Sequence, residues 1–179
     1  MRGFFGLGVE GISKPRNAGA LFRTAHAFDA SFVFAVAPAV NVREIHSTDT
    51  SASTNHLPLY EFGSIDEMVL PKGCRLVGIE LTDDSIELPS FKHPDRCAYV
   101  LGPERGSLSP AMQERCDFIV KIPTKFCVNV SVAGAIVLYD RIISKGRWAD
   151  RPVMSGGPKS PLEKHVHGPQ IIRTKPTDK

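Results

Sequence analysis

Three short clusters in this chain of 179 residues set polar side chains beside glycine, proline or small residues at the ends of apolar runs. They are Asn17-Ala18-Gly19-Ala20-Leu21-Phe22-Arg23, Gly102-Pro103-Glu104-Arg105-Gly106 and Cys127-Val128-Asn129-Val130-Ser131. The second follows the apolar run Tyr99-Val100-Leu101, and another run ends in Lys121-Ile122-Pro123-Thr124 just before the third. Two strand ends and a helix start with small or polar tips are what α/β proteins use to build a cofactor crevice beyond the carboxyl ends of their strands. The chemistry they suggest is that of a site built around a bound cofactor.

Each cluster also has a plain structural reading. Asn17 is a good N-cap, and Ala18, Leu21, Phe22 and Ala25 form an apolar stripe at helical spacing. Arg23 shares a face with Gly19, Ala20 and Ala27. It is either an exposed salt-bridging arginine or a bidentate phosphate ligand with room beside it for another molecule. Gly102 to Gly106 can be a turn after a buried strand, although a Glu at the tip of an apolar strand asks for a further explanation. Ser109 and Pro110 then suit the cap and first position of a helix. Asn129 caps the next helix, and Cys127 can be a small buried hydrophobe.

Two other patterns compete. Gly6-Leu7-Gly8-Val9-Glu10-Gly11 matches the dinucleotide fingerprint, but Ser13-Lys14-Pro15 intervenes before any helix and the next strand ends in Val36-Ala37-Pro38 without an acidic residue. A glycine-rich strand and turn is the better reading, which leaves a nucleotide-dependent oxidoreductase as a minor alternative. His165 and His167 lack the further ligands a metal site needs, so no metal is expected.

The elements that must position these clusters alternate. Strands are expected near 3–9, 31–37, 57–61, 74–80, 97–102 and 117–122, and helices near 17–28, 64–70, 109–115 and 129–145. That alternation predicts an α/β domain with a mostly parallel sheet and helices on both faces. The polar, Ser/Thr-rich segment 37–55 is long enough to be a functional loop. The helix over 129–145 is apolar on every side before Asp140, so it must be buried on every side, and a partner subunit in a homodimer would do this.

Composition is that of a globular protein, 42% hydrophobic and 23% charged, with no run long enough to span a membrane. Four scattered cysteines without a Cys-x-x-Cys pair fit a reducing cytoplasm. The net charge is +3, and its distribution is uneven. Residues 147–179 hold seven Lys/Arg against three Asp/Glu, and residues 1–146 hold the remaining 15 and 16. The chain therefore reads as one domain over 1–146 and a basic Pro/Gly-rich tail over 147–179, which suits a polyanionic partner.

In their order and spacing, the three clusters resemble the SpoU family of the SPOUT class, RNA 2′-O-ribose methyltransferases, over roughly residues 4–145. The resemblance implies a deep trefoil knot in the C-terminal half, a homodimer, S-adenosylmethionine as cofactor, and tRNA or rRNA as substrate. It implies that Arg23 and Asn17 orient the nucleotide and that Glu104 and Asn129 lie close to the reacting groups, with Glu104 an alternative proton acceptor. The cofactor would lie against Gly102 and Ile122, with Ile79, Glu80 and Leu81 as a third wall and the Cys127-Val128 backbone beside it. Cys127 departs from the usual Ser of the family pattern, which keeps a non-catalytic RNA-binding relative as the other alternative.

Overall fold

The computed structural model describes residues 3–41, 57–148, 151–152 and 155–157. Seven strands form one sheet: β1 (Phe4–Glu10), β2 (Phe32–Val36), β3 (Leu59–Phe62), β4 (Arg75–Ile79), β5 (Ile86–Glu87), β6 (Arg96–Leu101) and β7 (Phe118–Lys121). Their order across the sheet is β3-β2-β1-β6-β4-β7-β5, and every neighbouring pair is parallel. All carboxyl ends therefore open on one side. Three helices complete the fold, α1 (Pro15–Ala27), α2 (Pro110–Arg115) and α3 (Val130–Lys145).

Alternation along the strands divides the core in two. Phe5, Leu7, Val9, Val77, Tyr99 and Leu101 pack on one face with α1 and α3. Phe32, Phe34, Leu76, Ala98 and Val100 pack on the other with Met112 of α2. Helices on both faces leave these strands buried on both sides, the usual condition of a parallel sheet. The α1–α3 crossing is close because Gly134 has no side chain; a Cβ there would lie 2.6 Å from Leu21 Cδ1.

The glycines of the discarded fingerprint have a packing role. A Cβ on Gly6 would meet the Phe32 ring at 2.3 Å, and one on Gly8 the Phe34 ring at 2.5 Å. The two aromatic rings lie down on β1 where its side chains are missing. Nothing in this placement calls for a dinucleotide.

Two expectations need correction. Residues 64–70 form turns, not a helix. Ser64 and Glu67 make the start of a cap, with Glu67 N–H donating to Ser64 Oγ and Gly63 N–H to Glu67 Oε2. The coil goes no further because Arg115 takes the carbonyls of Ile65 and Met68, and Pro71 lies just ahead. Helix α1 starts at Pro15 in the first-turn position that proline favours, so Lys14 is the N-cap and Asn17 lies inside the first turn. It ends in a Schellman motif, with Ala30 N–H on Ala25 O, Asp29 N–H on His26 O, and Asp29 in the left-handed region at φ 61°. The short strand β5 was not anticipated; two residues carry too little pattern to be read.

By its internal contacts the chain divides into residues 1–146 and 147–179. The described residues of the second unit hold no helix or strand. Residues 42–56, which include most of the Ser/Thr-rich segment, lie outside the described residues, as do His165 and His167. No helix among the described residues is long and apolar enough to cross a membrane.

Candidate active site

A cavity of about 220 Å³ opens at the carboxyl ends of β4, β6 and β7. Ile79, Glu80 and Leu81 form one wall, Leu101 to Glu104 with Gly106 a second, and Ile122 with Thr124 a third. The start of α3 closes it through Cys127, Val128, Asn129, Val130 and Ala133. All seven residues expected to hold a cofactor, Ile79, Glu80, Leu81, Gly102, Ile122, Cys127 and Val128, line this one space. Leu101, Pro103, Gly106, Thr124, Val130 and Ala133 join them without having been assigned to the cofactor.

Carboxylates shape the walls. Glu80 Oε1 accepts from its neighbour Leu81 N–H at 2.9 Å, and Oε2 from Leu108 N–H at 2.7 Å. Buried Glu10, at the end of β1, accepts from Ser109 N–H at 2.9 Å and Ser109 Oγ at 2.6 Å. The loop between β6 and α2 is thus held at its far end by two carboxylates. Gly102 lets that loop fold back: a Cβ there would lie 2.9 Å from Leu108 N and 3.1 Å from Ser107 C. Glu10 escaped sequence reasoning as a site residue; its signal was a charge ending an otherwise apolar strand.

Glu104 reaches in the other direction, to the start of α1. Its Oε2 accepts from Ser13 N–H at 3.1 Å and Ser13 Oγ at 2.9 Å, and its Oε1 from Lys14 N–H and Asn17 Nδ2, both at 3.0 Å. Partial burial pushes the carboxyl up, but the hydrogen bonds outweigh it and hold it below the usual glutamate value. The anion sits at a helix N-terminus, where unpaired N–H groups favour negative charge. Asn17 Oδ1 in turn accepts from Asn129 Nδ2 at 3.3 Å, and Asn129 Oδ1 caps α3 by accepting from Ser131 N–H at 2.9 Å. One chain of hydrogen bonds therefore joins Glu104, Asn17 and Asn129 beside the cavity.

Arg23 is not part of it. It is exposed on α1, six residues (about 9 Å of helix) beyond Asn17. It makes no hydrogen bond or ion pair among the described residues, so the salt-bridged reading does not hold. Cys127 is exposed at the cavity wall and is not a buried hydrophobe.

A model of the SpoU rRNA Methylase family matches residues 5–139. An uncharacterized tRNA/rRNA methyltransferase of Archaeoglobus fulgidus is 33% identical over 146 residues, 76% of this chain and 63% of that protein. The 23S rRNA (guanosine-2′-O-)-methyltransferase RlmB of Coxiella burnetii is 28% identical over 151 residues, covering 80% and 59% of the two chains. The chain thus spans less than two thirds of these relatives. Among solved structures, the SpoU methyltransferase AviRb of Streptomyces viridochromogenes in complex with the cofactor AdoMet superposes with a TM-score of 0.70 at 22% identity, over 79% of this chain and 60% of that one. With the second and third motif segments lining one cavity, Asn17 of the first bonded to both beside it, and the family pattern covering residues 5–139, this chain belongs to the SpoU rRNA methylase family.

Proposed function

We propose that this chain transfers a methyl group from S-adenosylmethionine to a ribose 2′-hydroxyl of tRNA or rRNA. The observation that carries the reading is the Glu104–Asn17–Asn129 chain of hydrogen bonds at the edge of the cavity. It gathers residues 112 positions apart in sequence into one place, which packing alone does not require. Relatives named as tRNA/rRNA and guanosine-2′-O-methyltransferases support the substrate class.

The cavity suits the cofactor. Ile79, Leu101, Ile122, Val128 and Val130 offer apolar walls to an adenine ring, and Glu80, Glu104, Thr124 and Asn129 are the polar residues of the lining. S-adenosylmethionine bound there would supply a methyl group on a sulfonium. The chain's own part is placement, since in-line alignment of the reacting atoms is a large share of such an acceleration. Asn17 and Asn129 orient the nucleotide at the mouth. Glu104 holds α1 against the loop after β6; two donors on each of its oxygens fill the four sites a carboxylate has, so it serves as clamp and not as proton acceptor. Arg23, exposed and without a partner among the described residues, is read as a ligand for substrate phosphate.

We further read the protein as a knotted homodimer of the cytoplasm. β6 lies between β1 and β4, and β7 between β4 and β5, an order that sets late strands among earlier ones and is compatible with a trefoil knot. A fully stretched chain without residual shortening under force would rule the knot out. Val132 is 48% and Tyr139 56% exposed, and with Thr24, Phe28, Ser131, Ala135 and Ile136 they line an apolar groove along α3. A second copy would bury this stripe, and a monomeric mass by light scattering would count against it. Four free cysteines accord with a reducing compartment. Residues 147–179 are read as a basic tail that adds to RNA affinity.

The deciding assay is transfer of labelled methyl from S-adenosylmethionine to total tRNA and rRNA, with the product mapped by its resistance to alkaline cleavage. Cofactor binding without transfer to either RNA would leave only the non-catalytic relative. Binding of NAD in its place would restore the oxidoreductase.

A further inference from the structure

The rim of the cavity carries an aromatic side chain with no part in holding the cofactor or orienting the nucleotide. Phe126 is 77% exposed, on the turn between Thr124 and Cys127, both of which line the cavity. Leaving a phenylalanine in water forgoes the gain of burying it, so folding gives no reason for it to stand there. Its neighbour Lys125 is exposed, as is Arg105 between the lining residues Glu104 and Gly106. Lys14 and Arg16 are exposed on the α1 side of the same rim, where Ser13, Lys14 and Asn17 meet Glu104. None of these four cations has a side-chain ion pair or hydrogen bond among the described residues. The two carboxylates that line the cavity, Glu80 and Glu104, are committed to backbone and side-chain donors.

An isolated aromatic face flanked by unpaired cations is the pattern that binds single-stranded nucleic acid, with a base stacked on the ring and phosphates on the cations. A duplex offers no such fit, because its base faces are already stacked on one another. We propose that Phe126 stacks on an unpaired base next to the reacting nucleotide, and that Lys14, Arg16, Arg105 and Lys125 hold the phosphates on either side. The substrate is thereby an unpaired stretch or loop of RNA, not a helix. This rests on the proposed RNA methyl transfer and narrows it.

The test compares a short unstructured oligoribonucleotide with the same sequence locked in a duplex, titrated against the full chain. The wild type should prefer the single strand. Phe126→Leu, which keeps the apolar bulk but removes the π face, should weaken single-strand binding by about tenfold or more, whereas Phe126→Trp should retain it. Paired changes Lys14→Ala with Arg16→Ala, and Arg105→Ala with Lys125→Ala, should each flatten the plot of log affinity against log salt by about 0.7 for every phosphate no longer neutralised. Circular dichroism and melting temperature of each variant report whether the fold is intact. Equal binding by wild type and Phe126→Leu, or an unmoved salt slope, would overturn the rim platform while leaving the methyl-transfer reading standing. A changed oligomeric mass in Phe126→Leu would make the ring a protein contact and overturn it too. Failure of the wild type to bind either RNA would bring down both.

Discussion

The two ends of the parallel sheet each carry a polar network, and they differ in what closes them. Before β6, His93 and Arg141 are buried, 3% and 1% exposed, and share the Tyr99 hydroxyl. Arg141 donates to that oxygen at 3.1 Å, and His93 Nδ1 lies 2.5 Å from it. The Asp140 carboxylate can only accept, at 2.9 Å, so it takes the Nε2–H of His93 and leaves Nδ1 of the neutral ring to accept from the hydroxyl. Arg141 also donates to the carbonyls of Pro94 and Asp95, and its guanidinium lies 4.7 Å over the Phe5 ring. None of these residues lines the cavity at the other end of the strands, where Glu104, Asn17 and Asn129 are linked by bonds of similar length but stand half-buried or exposed. A network sealed by protein can only hold the fold. One that reaches a mouth can exchange a partner for substrate.

The largest effect should follow from opening the sealed end. Arg141→Met leaves two carbonyls and the Tyr99 hydroxyl without their donor, and each buried group left unsatisfied costs about 1–3 kcal/mol. Together these are a large part of a domain's stability. Urea unfolding should show it, and a loss under about 1 kcal/mol would mean that solvent reaches this region. The open end should respond in the opposite way. Glu104→Gln turns an amide NH₂ toward donors, so methyl transfer should fall about 100-fold through misplacement, while stability falls by only about 1 kcal/mol. Equal losses of activity and stability would erase the contrast between the ends.

The pH dependence should also divide them. Burial pushes His93 below its ordinary value of 6.5, more than the bond to Asp140 raises it, and the Arg141 and Lys145 charges add to the lowering. The unfolded chain then binds the proton more readily, so stability is lost as pH falls from 6.5 toward the lower folded value. Glu104, also held low, loses its contribution only in the more acid range below 4.5. Melting temperature should therefore drop in two separate windows, and His93→Asn should remove the upper one. A single transition in the carboxylate range would show that His93 titrates as it does in the unfolded chain.

The contrast also explains how much could be read from sequence. Strands β1, β2, β4, β6 and β7 follow from apolar runs because a doubly covered parallel sheet leaves its pattern in consecutive residues. The cavity walls follow too, since each is the tip of such a run. Glu104 was legible as a charge at a strand tip, but not its role, because its partners are 87 to 91 residues away. Asn17 has the composition of a cap, and Pro15 took the helix start from it. The sealed network left a trace in Asp140 and Arg141, which break an apolar helix. Only the fold brings His93 and Tyr99 to meet them.

The smallest effect is expected at Cys127. Its thiol is exposed at the cavity wall and makes no hydrogen bond among the described residues, while the backbone around it leads into the Asn129 cap. Cys127→Ser exchanges sulfur for a somewhat smaller oxygen at a site with no packing to lose. Activity should change by no more than about fivefold, the equivalent of one hydrogen bond of about 1 kcal/mol, with any change upward. The same side chain offers a sharper measurement. An alkylating reagent on the wild-type thiol would add bulk inside the cavity, so it should block S-adenosylmethionine binding, and bound S-adenosylmethionine should protect the thiol. Cys127→Ser should be indifferent to the reagent, while Cys74, Cys97 and Cys116, more deeply placed and with thiols pushed up by burial, should react slowly in both proteins. Alkylation that goes to completion at Cys127 without affecting cofactor binding would remove this residue from the wall, and with it the closure of the site by the start of α3.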